Sequence, residues 1–198
     1  VNEWGEIDLD QLTASLTPQT KLVSIGWANN EIGTLQNIVE IGQICQERGI
    51  LFHTDAAQLA GKLPVKFSQR KLTALSCAAH KFHGPVGIGA LVVRHDLQIT
   101  PQLRGGHQQA GVRAGTEMVA LAVGMQSALE VWHENFDENF KRLEGFQTRL
   151  EEQIIAAIPS ATVIGKAAAR LPNSSTIAFP GVERQAFFLA LDQAGVAC

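Results

Sequence analysis

Residues 21 to 54 contain two apolar runs separated by an amphipathic segment, and this order limits the fold more than any other feature. The runs 21–27 and 50–54 have the length and the Val, Ile and Leu content of buried strands. Between them, apolar side chains recur at helical spacing over residues 37–48, and Gly49 supplies a helix stop. A strand, a helix and a strand in this order form a βαβ unit with a right-handed crossover. The segment therefore predicts a parallel sheet in an α/β fold.

Two further apolar runs, 72–77 and 86–93, flank a loop that contains Lys81. Both runs are rich in Ala, Leu, Ile and Val, and they predict buried strands. A lysine amine on a loop between core strands can attack a carbonyl group and form a Schiff base. For Lys81 taken alone, the alternative is a solvated surface side chain, which is the ordinary state of lysine.

Asp55 ends the apolar run 50–54, at the carboxyl end of the predicted strand. Ligands of open α/β sheets bind at this edge, and a carboxylate there needs a cationic partner. A protonated pyridine nitrogen is such a partner, and a lysine Schiff base with an acid on the ring nitrogen is the pair that pyridoxal 5′-phosphate chemistry requires. Lys81 and Asp55 together therefore predict a site for this cofactor. A metal-hydrolase site is the alternative, but the spacing of its candidate ligands matches no compact zinc motif; they are His53, Asp55, His80 and His83.

Four short motifs resemble those of one enzyme family in their order and spacing. They are Asn29-Asn30-Glu31-Ile32-Gly33, His53-Thr54-Asp55-Ala56-Ala57-Gln58, His80-Lys81-Phe82-His83-Gly84-Pro85 with Gly87-Ile88-Gly89-Ala90-Leu91, and Arg113-Ala114-Gly115-Thr116-Glu117. The chain is similar to the class V aminotransferase-like cysteine desulfurases of the NifS/IscS type. This resemblance runs along essentially the whole chain. It implies an α/β fold, namely the large domain of a pyridoxal phosphate-dependent transferase (aspartate aminotransferase-like), with the start of a smaller α+β domain.

The resemblance implies roles for four residues around the cofactor ring. Lys81 would hold the cofactor covalently, and Asp55 would face the pyridine nitrogen. Asn30 would approach the phenolic oxygen and the amino acid substrate, and Gln58 would hydrogen-bond the same oxygen. Without the resemblance, turn chemistry explains Asn30 equally well, and Gln58 would be a polar residue at a helix start.

The resemblance also implies two contacts to the cofactor phosphate. His80 would contact the phosphate directly. Thr116 ends the Gly-rich loop 105–116 at a predicted helix start, where free N–H groups suit an anion. In the family this threonine reaches the phosphate of the other subunit, so it implies a homodimer with composite sites. Ala78 stands where the family usually has a serine, which removes one hydrogen bond of about 1.5 to 3 kcal/mol.

The implied reaction is the removal of sulfur from L-cysteine, giving L-alanine and an enzyme persulfide. Selenocysteine lyase chemistry on the same scaffold is the close alternative. A non-catalytic fragment that keeps only dimer or partner contacts is an alternative of another class. The family's attacking cysteine lies in a Ser-Gly-Ser-Ala-Cys loop, and Cys198 aligns a few residues too early to be that nucleophile. We therefore expect a fragment that lacks an earlier half and the catalytic-cysteine loop.

Composition narrows the partners and the compartment. The net charge of −3 and the hydrophobic fraction of 45% are ordinary for a globular protein with a sizeable core, and they suggest neither nucleic acid nor membrane as a partner. The three cysteines are widely spaced and predict neither a disulfide framework nor a zinc site, which favours a reducing compartment. Cys45 falls on the apolar face of the predicted helix and is expected to pack in the core. We expect a cytoplasmic enzyme whose sulfur passes to an acceptor protein, with iron–sulfur cluster assembly as one destination.

Apolar side chains keep helical spacing from residue 117 to residue 158, a length of about 60 Å at 1.5 Å per residue. No compact domain contains a helix of this length, so it must link two domains or bend, and Pro159 ends it. We expect residues 1–116 to belong to the cofactor-binding large domain and residues 117–158 to form a connecting helix. Residues 159–198 would then start the small C-terminal domain.

Overall fold

Four strands form the central sheet of this computed structural model, which describes residues 1–197. The strands are β1 (Leu22–Gly26), β2 (Leu51–Asp55), β3 (Ala74–Ala78) and β4 (Gly89–Val93). They lie in the order β1-β2-β3-β4, with the first three parallel and β4 antiparallel to β3. The predicted parallel sheet is therefore confirmed.

Two helices precede β2 along the chain. Helix α1 (Leu9–Ser15) begins after Asp8, whose carboxylate accepts hydrogen bonds from two backbone N–H groups of the first turn, as expected for an N-cap. Helix α2 (Ile38–Glu47) connects β1 to β2 and ends before Gly49, which adopts a left-handed backbone conformation with φ +65°. Glycine adopts this conformation without a steric penalty because it has no Cβ, so it can end the helix with little strain.

The main core lies between α2 and one face of the sheet. Its buried members include Val23, Phe52 and Leu75 from the strands, with Ile41 and Cys45 from α2. Cys45 is a core residue, as predicted, and burial raises the pKa of its thiol. The apolar stripe of α2 and the alternate residues of the strands thus meet, as their periodicities require.

The prediction of a buried strand over residues 86–93 is wrong in two respects. Strand β4 starts only at Gly89, and the Val86 side chain before it is exposed. Within the strand, Leu91 and Val92 are also exposed. Strand β4 lies at the edge of the described sheet, and none of its five residues is buried.

The predicted long helix is two helices. Helix α3 (Val119–Glu134) and helix α4 (Phe136–Ala157) meet at Asn135, whose backbone leaves the helical region with φ −109° and ψ 13°. The Asn135 amide donates a 2.8 Å hydrogen bond to the Val131 carbonyl, a side-chain contact that competes with the helical backbone. The helix is therefore interrupted at Asn135, and the expected link between two domains stays a prediction. No helix within residues 1–197 combines the length and apolar character required to cross a membrane.

The last part of the described chain packs back onto the loop that follows β1. It contains β5 (Thr162–Val163) and β6 (Ile177–Ala178), which pair antiparallel, and helix α5 (Arg184–Gln193). The Leu35 N–H donates to the Ala169 carbonyl at 2.8 Å, and the Leu171 N–H donates to the Gly33 carbonyl at 2.9 Å. These bonds fix the loop that carries Asn30. The described chain also has 3₁₀ turns at Phe67–Gln69, Ala79–Phe82 and Gln108–Gly111.

An ion pair anchors the segment that reaches this loop. The Arg170 guanidinium donates to Glu151 Oε2 at 3.0 Å and lies 2.9 Å from Oε1, and both side chains are only 9% exposed. The Ser175 hydroxyl donates to Glu151 Oε1 at 2.7 Å. Neighbouring Leu171 is fully buried in the main core. The pair therefore joins α4 to a segment that completes the core.

Candidate active site

Asp55 and Lys81 lie at the same edge of the sheet. Asp55 is the last residue of β2, and it is paired in register with Ser76 of the neighbouring parallel strand β3. Lys81 follows the end of β3, in the 3₁₀ turn Ala79–Phe82. Both side chains are exposed. The carboxyl ends of adjacent parallel strands thus carry an acid and an amine where α/β sheets bind ligands.

Asp55 opens onto a cavity of about 700 Å³ that Asn30 and Gln58 also line. Its Oδ1 accepts a 2.8 Å hydrogen bond from the Ala57 N–H, which holds the carboxylate against the turn that follows β2. Within residues 1–197, Oδ2 has no hydrogen-bond partner. Burial raises the pKa of the Cys77 thiol, and the Asp55 charge adds to this effect. The cavity therefore receives an oriented negative charge.

The two adjacent asparagines of the loop after β1 do different things. Asn29 Oδ1 accepts hydrogen bonds from the Glu31 and Ile32 N–H groups, at 2.8 and 3.0 Å. This is ordinary turn chemistry, and it occupies Asn29. Asn30 is exposed and lines the cavity with Asp55. The turn explanation therefore applies to the first asparagine, and the second remains available to a ligand.

Sequence reasoning missed Lys62, which holds Gln58. The Lys62 ammonium donates to the Gln58 carbonyl at 2.8 Å and to Gln58 Oε1 at 2.9 Å. Burial lowers the pKa of Lys62, and the charge of Lys81 lowers it further. The only signal in the sequence is the spacing of four residues, which places two side chains on one side of a helical turn.

Lys81 lines a second cavity, of about 640 Å³, and not the cavity of Asp55. Lys62 and Arg142 also line this second cavity, together with the aromatic side chains of Trp132 and Phe136. None of the described residues that line it is acidic. Gln58, which lines the first cavity, is hydrogen-bonded to Lys62, which lines the second.

A family model described as aminotransferase class-V matches residues 1–198 of this sequence. The chain belongs to the class-V aminotransferase family. Members of this family are pyridoxal phosphate-dependent, and the resemblance identified from the four motifs is therefore confirmed.

Curated and solved relatives agree with the family assignment. The chain is 42% identical over 197 residues to a protein named cysteine desulfurase from Klebsiella pneumoniae, covering 100% of this chain and 49% of that protein. A solved NifS-like protein from Rickettsia africae superposes with a TM-score of 0.90 at 34% identity, over 100% of this chain and 55% of that one. A structure named SspA in complex with cysteine matches with a TM-score of 0.79 at 33% identity, over 98% and 52% of the two chains. The chain thus spans about half the length of the relatives it matches, and the expected fold is confirmed.

The side chains at the sheet edge suit the cofactor of the class-V family. The volume of the Asp55 cavity falls within the usual range for small-molecule sites, about 300 to 1,000 Å³. Asp55 Oδ2 is available to a protonated ring nitrogen, and Gln58 has a free Nε2 donor for a ring oxygen. The Lys81 amine has no hydrogen-bond partner among residues 1–197. Asp55 and Gln58 thus offer the charge and the donor that suit the cofactor ring from the first cavity, and Lys81 offers its amine from the second.

The resemblance implies that His80 and Thr116 contact the cofactor phosphate. His80 is exposed in the Lys81 turn, and Thr116 is exposed in the loop before α3, which begins at Val119 rather than at residue 117. Neither residue lines the cavity of Asp55 or that of Lys81. Their roles remain predictions, as does the partner-subunit contact of Thr116. Cys198 lies outside the described residues.

The described residues contain no group of three or more His, Cys, Asp or Glu side chains arranged to hold a metal ion. The four candidate ligands of the alternative metal site therefore do not form such a group; they are His53, Asp55, His80 and His83. His53 instead lies between two serines on neighbouring strands. Its Nδ1 is 2.8 Å from Ser24 Oγ, and its Nε2 is 3.2 Å from Ser76 Oγ.

Proposed function

We propose that this chain is part of a pyridoxal phosphate-dependent cysteine desulfurase, which converts L-cysteine to L-alanine and an enzyme persulfide. The observation that carries the proposal is the placement of Asp55 and Lys81 at one edge of adjacent parallel strands. The sequence of the Klebsiella pneumoniae cysteine desulfurase, 42% identical over the full chain, supports the same reaction. The complex of the related SspA with cysteine supports this amino acid as the substrate.

The cofactor, when bound, supplies an electron sink that weakens the bonds around the substrate's α-carbon. Asp55 would contribute the negative charge that favours a protonated ring nitrogen, and its Oδ1 contact to Ala57 keeps that charge in place. Lys81 would hold the cofactor through its amine and then accept and return protons at Nζ. The amine has no competing hydrogen bond within residues 1–197, so it is free for both tasks.

Asn30 and Gln58, which also line the Asp55 cavity, would orient the ring and the substrate. Asn30 can do so because Asn29 takes the turn hydrogen bonds of the loop. The phosphate would be bound by His80 and, across a homodimer interface, by Thr116. The proposal further includes a cytoplasmic location and a sulfur-acceptor protein, as in iron–sulfur cluster assembly. The resemblance to NifS/IscS-type enzymes is the support for these last points.

The test uses the whole protein loaded with pyridoxal phosphate. Lys81→Ala should abolish the visible absorption of the bound cofactor and lower alanine release from L-cysteine by about 100-fold or more. Borohydride reduction of the native protein should fix the cofactor to the Lys81 peptide. Lys141→Ala is the matched control, because Lys141 is an exposed lysine of α4 outside both cavities.

Labelling of a different lysine in the native protein would contradict the role of Lys81. The choice of substrate is tested separately, by comparing alanine release from L-cysteine and from L-selenocysteine. Turnover of selenocysteine alone would replace the desulfurase by a selenocysteine lyase.

A further inference from the structure

Within residues 1–197, Lys62 makes two side-chain hydrogen bonds, and both go to Gln58. Its ammonium lies 2.8 Å from the backbone carbonyl of Gln58 and 2.9 Å from the side-chain oxygen. A lysine ammonium has three donors and no acceptor, so it can pair only with the oxygen end of a carboxamide. The contact therefore decides which way round the Gln58 amide lies.

The packing around Lys62 keeps this contact in place. Gly61 has φ +71°, and a Cβ at this position would lie 2.1 Å from Phe82 Cβ. Only glycine permits this approach, and it brings the Gln58–Lys62 turn directly against the turn that carries Lys81. The Lys62 ammonium is consequently half-buried and lines the same cavity as Lys81.

The fixed amide has a consequence for the neighbouring cavity. With Oε1 held by Lys62, the group that Gln58 can offer to a ligand is the Nε2 donor. Gln58 lines the cavity of Asp55 and Asn30, where a ring oxygen of the cofactor is the acceptor expected from the proposed function. If the amide were reversed, Gln58 would present an oxygen to an oxygen, which repels rather than binds.

We propose that Lys62 is a positioning residue for the cofactor: it locks the Gln58 amide so that its N–H groups face the acceptor oxygen of the bound ring. The inference rests on the proposed function. Lys62 acts through Gln58, and its own charge need not touch the cofactor. A hydrogen-bond donor at an anionic ring oxygen favours the deprotonated form of the cofactor–lysine linkage, so loss of the donor raises the pH at which the visible band changes.

The experiment is a double-mutant cycle in the whole, cofactor-loaded protein, read by the pH midpoint of the visible absorption band. Lys62→Met should raise the midpoint by about one pH unit, the equivalent of one hydrogen bond to a charged group. Gln58→Leu should raise it by a similar amount. In the double variant, Lys62→Met should add nothing to the effect of Gln58→Leu.

Two further variants make the result specific. Lys62→Arg keeps the donors and the charge, so it should retain the native midpoint. Lys141→Met removes an exposed lysine of α4 and should also leave the midpoint unchanged. Lys62→Gln is a second neutral variant should Lys62→Met fail to fold.

Three outcomes would overturn the inference. An unchanged midpoint in both neutral Lys62 variants would show that Lys62 does not position the amide. A full shift that persists in the Gln58→Leu background would show that Lys62 acts through its charge and not through Gln58. Absence of any visible band in the native protein would instead refute the proposed function, and the inference with it.

Discussion

The two faces of β2 carry different kinds of side chain. On one face, Phe52 is fully buried and Thr54 is buried with its hydroxyl donating to the Ile25 carbonyl at 2.8 Å. On the other face, Leu51 is 37% exposed and His53 bonds to serines of the two neighbouring strands. Asp55 continues this open face to the edge of the sheet.

The comparison shows that residues of the core and residues of the open face alternate along β2, with a period of two residues. Even-numbered residues of β2 pack against α2 and make the core. Odd-numbered residues face away from it and end in the candidate ligand of the cofactor ring. Substitutions one position apart in this strand should therefore have different consequences, and the following predictions test that difference.

The largest effect is expected on the covered face. Phe52→Ala removes a fully buried ring and leaves a cavity, so the free energy of unfolding should fall by about 3 to 5 kcal/mol. Leu51→Ala, the neighbouring control on the open face, should cost about 1 kcal/mol or less. Urea unfolding of the 198-residue chain measures both. Equal losses of unfolding free energy in that chain would contradict the difference between the two faces. A large loss from Leu51→Ala in the whole protein alone would show that further chain covers the open face.

A similar loss of unfolding free energy is expected from breaking the Arg170–Glu151 ion pair, which anchors the segment that carries Leu171. Arg170→Met leaves the Glu151 carboxylate buried without its cation, so the free energy of unfolding should fall by about 3 kcal/mol or more. Replacing both partners, with Glu151→Leu added, should recover part of that loss, because no unpaired charge remains. A double variant less stable than Arg170→Met would contradict this explanation.

The same ion pair makes stability depend on pH. Burial alone would raise the pKa of Glu151, but the hydrogen bonds from Arg170 and Ser175 and the nearby cationic charges outweigh it and lower the pKa. A carboxyl group with a lowered pKa stabilises the fold above its unfolded value of 4.5, and this contribution is lost as the pH falls through the folded value. The unfolding free energy should therefore drop below pH 4.5, and Glu151→Gln should flatten that part of the profile.

The smallest expected change is in the activation free energy of turnover, and it follows from a substitution at the end of the open face. Asp55→Asn keeps the side-chain volume but removes the charge proposed to stabilise the ring nitrogen, so turnover should fall by at least a factor of ~10, or 1.4 kcal/mol. Stability should hardly change, because Asp55 is exposed. Unchanged turnover in the cofactor-loaded whole protein would refute the proposed role of Asp55.

Strongly periodic elements could be predicted from the sequence closely. The βαβ unit was expected at residues 21–27, 37–48 and 50–54, and β1, α2 and β2 lie within one or two residues of those bounds. In these segments, local propensity, apolar spacing and capping all favour the same structure, so no distant contact is needed to choose it.

Features that depend on distant partners could not be predicted in the same way. The sequence allowed a bend within residues 117–158 but did not give its position, because apolar spacing continues through Asn135: Trp132 and Phe136 lie on either side, with ring centroids 5.4 Å apart. The exposure of Leu91 depends on what packs over the face of β4, and the sequence of the strand alone does not show this. Asp55 and Lys81 were predicted as site residues from the positions of their strands, whereas Lys62 was missed because its hydrogen bonds depend on the fold of the turn after β2.

The contact between the loop after β1 and the end of the described chain also bears on the order of folding. The Thr176 hydroxyl donates to the Glu31 carbonyl across 145 residues of sequence. Closing so long a loop loses chain entropy before stabilising contacts can offset the loss. This contact should therefore form after the βαβ unit has assembled. The Asn30 loop would thus be among the last parts to reach its final conformation. A newly made chain would acquire its sheet early and a complete Asp55 cavity only when residues 169–176 have docked.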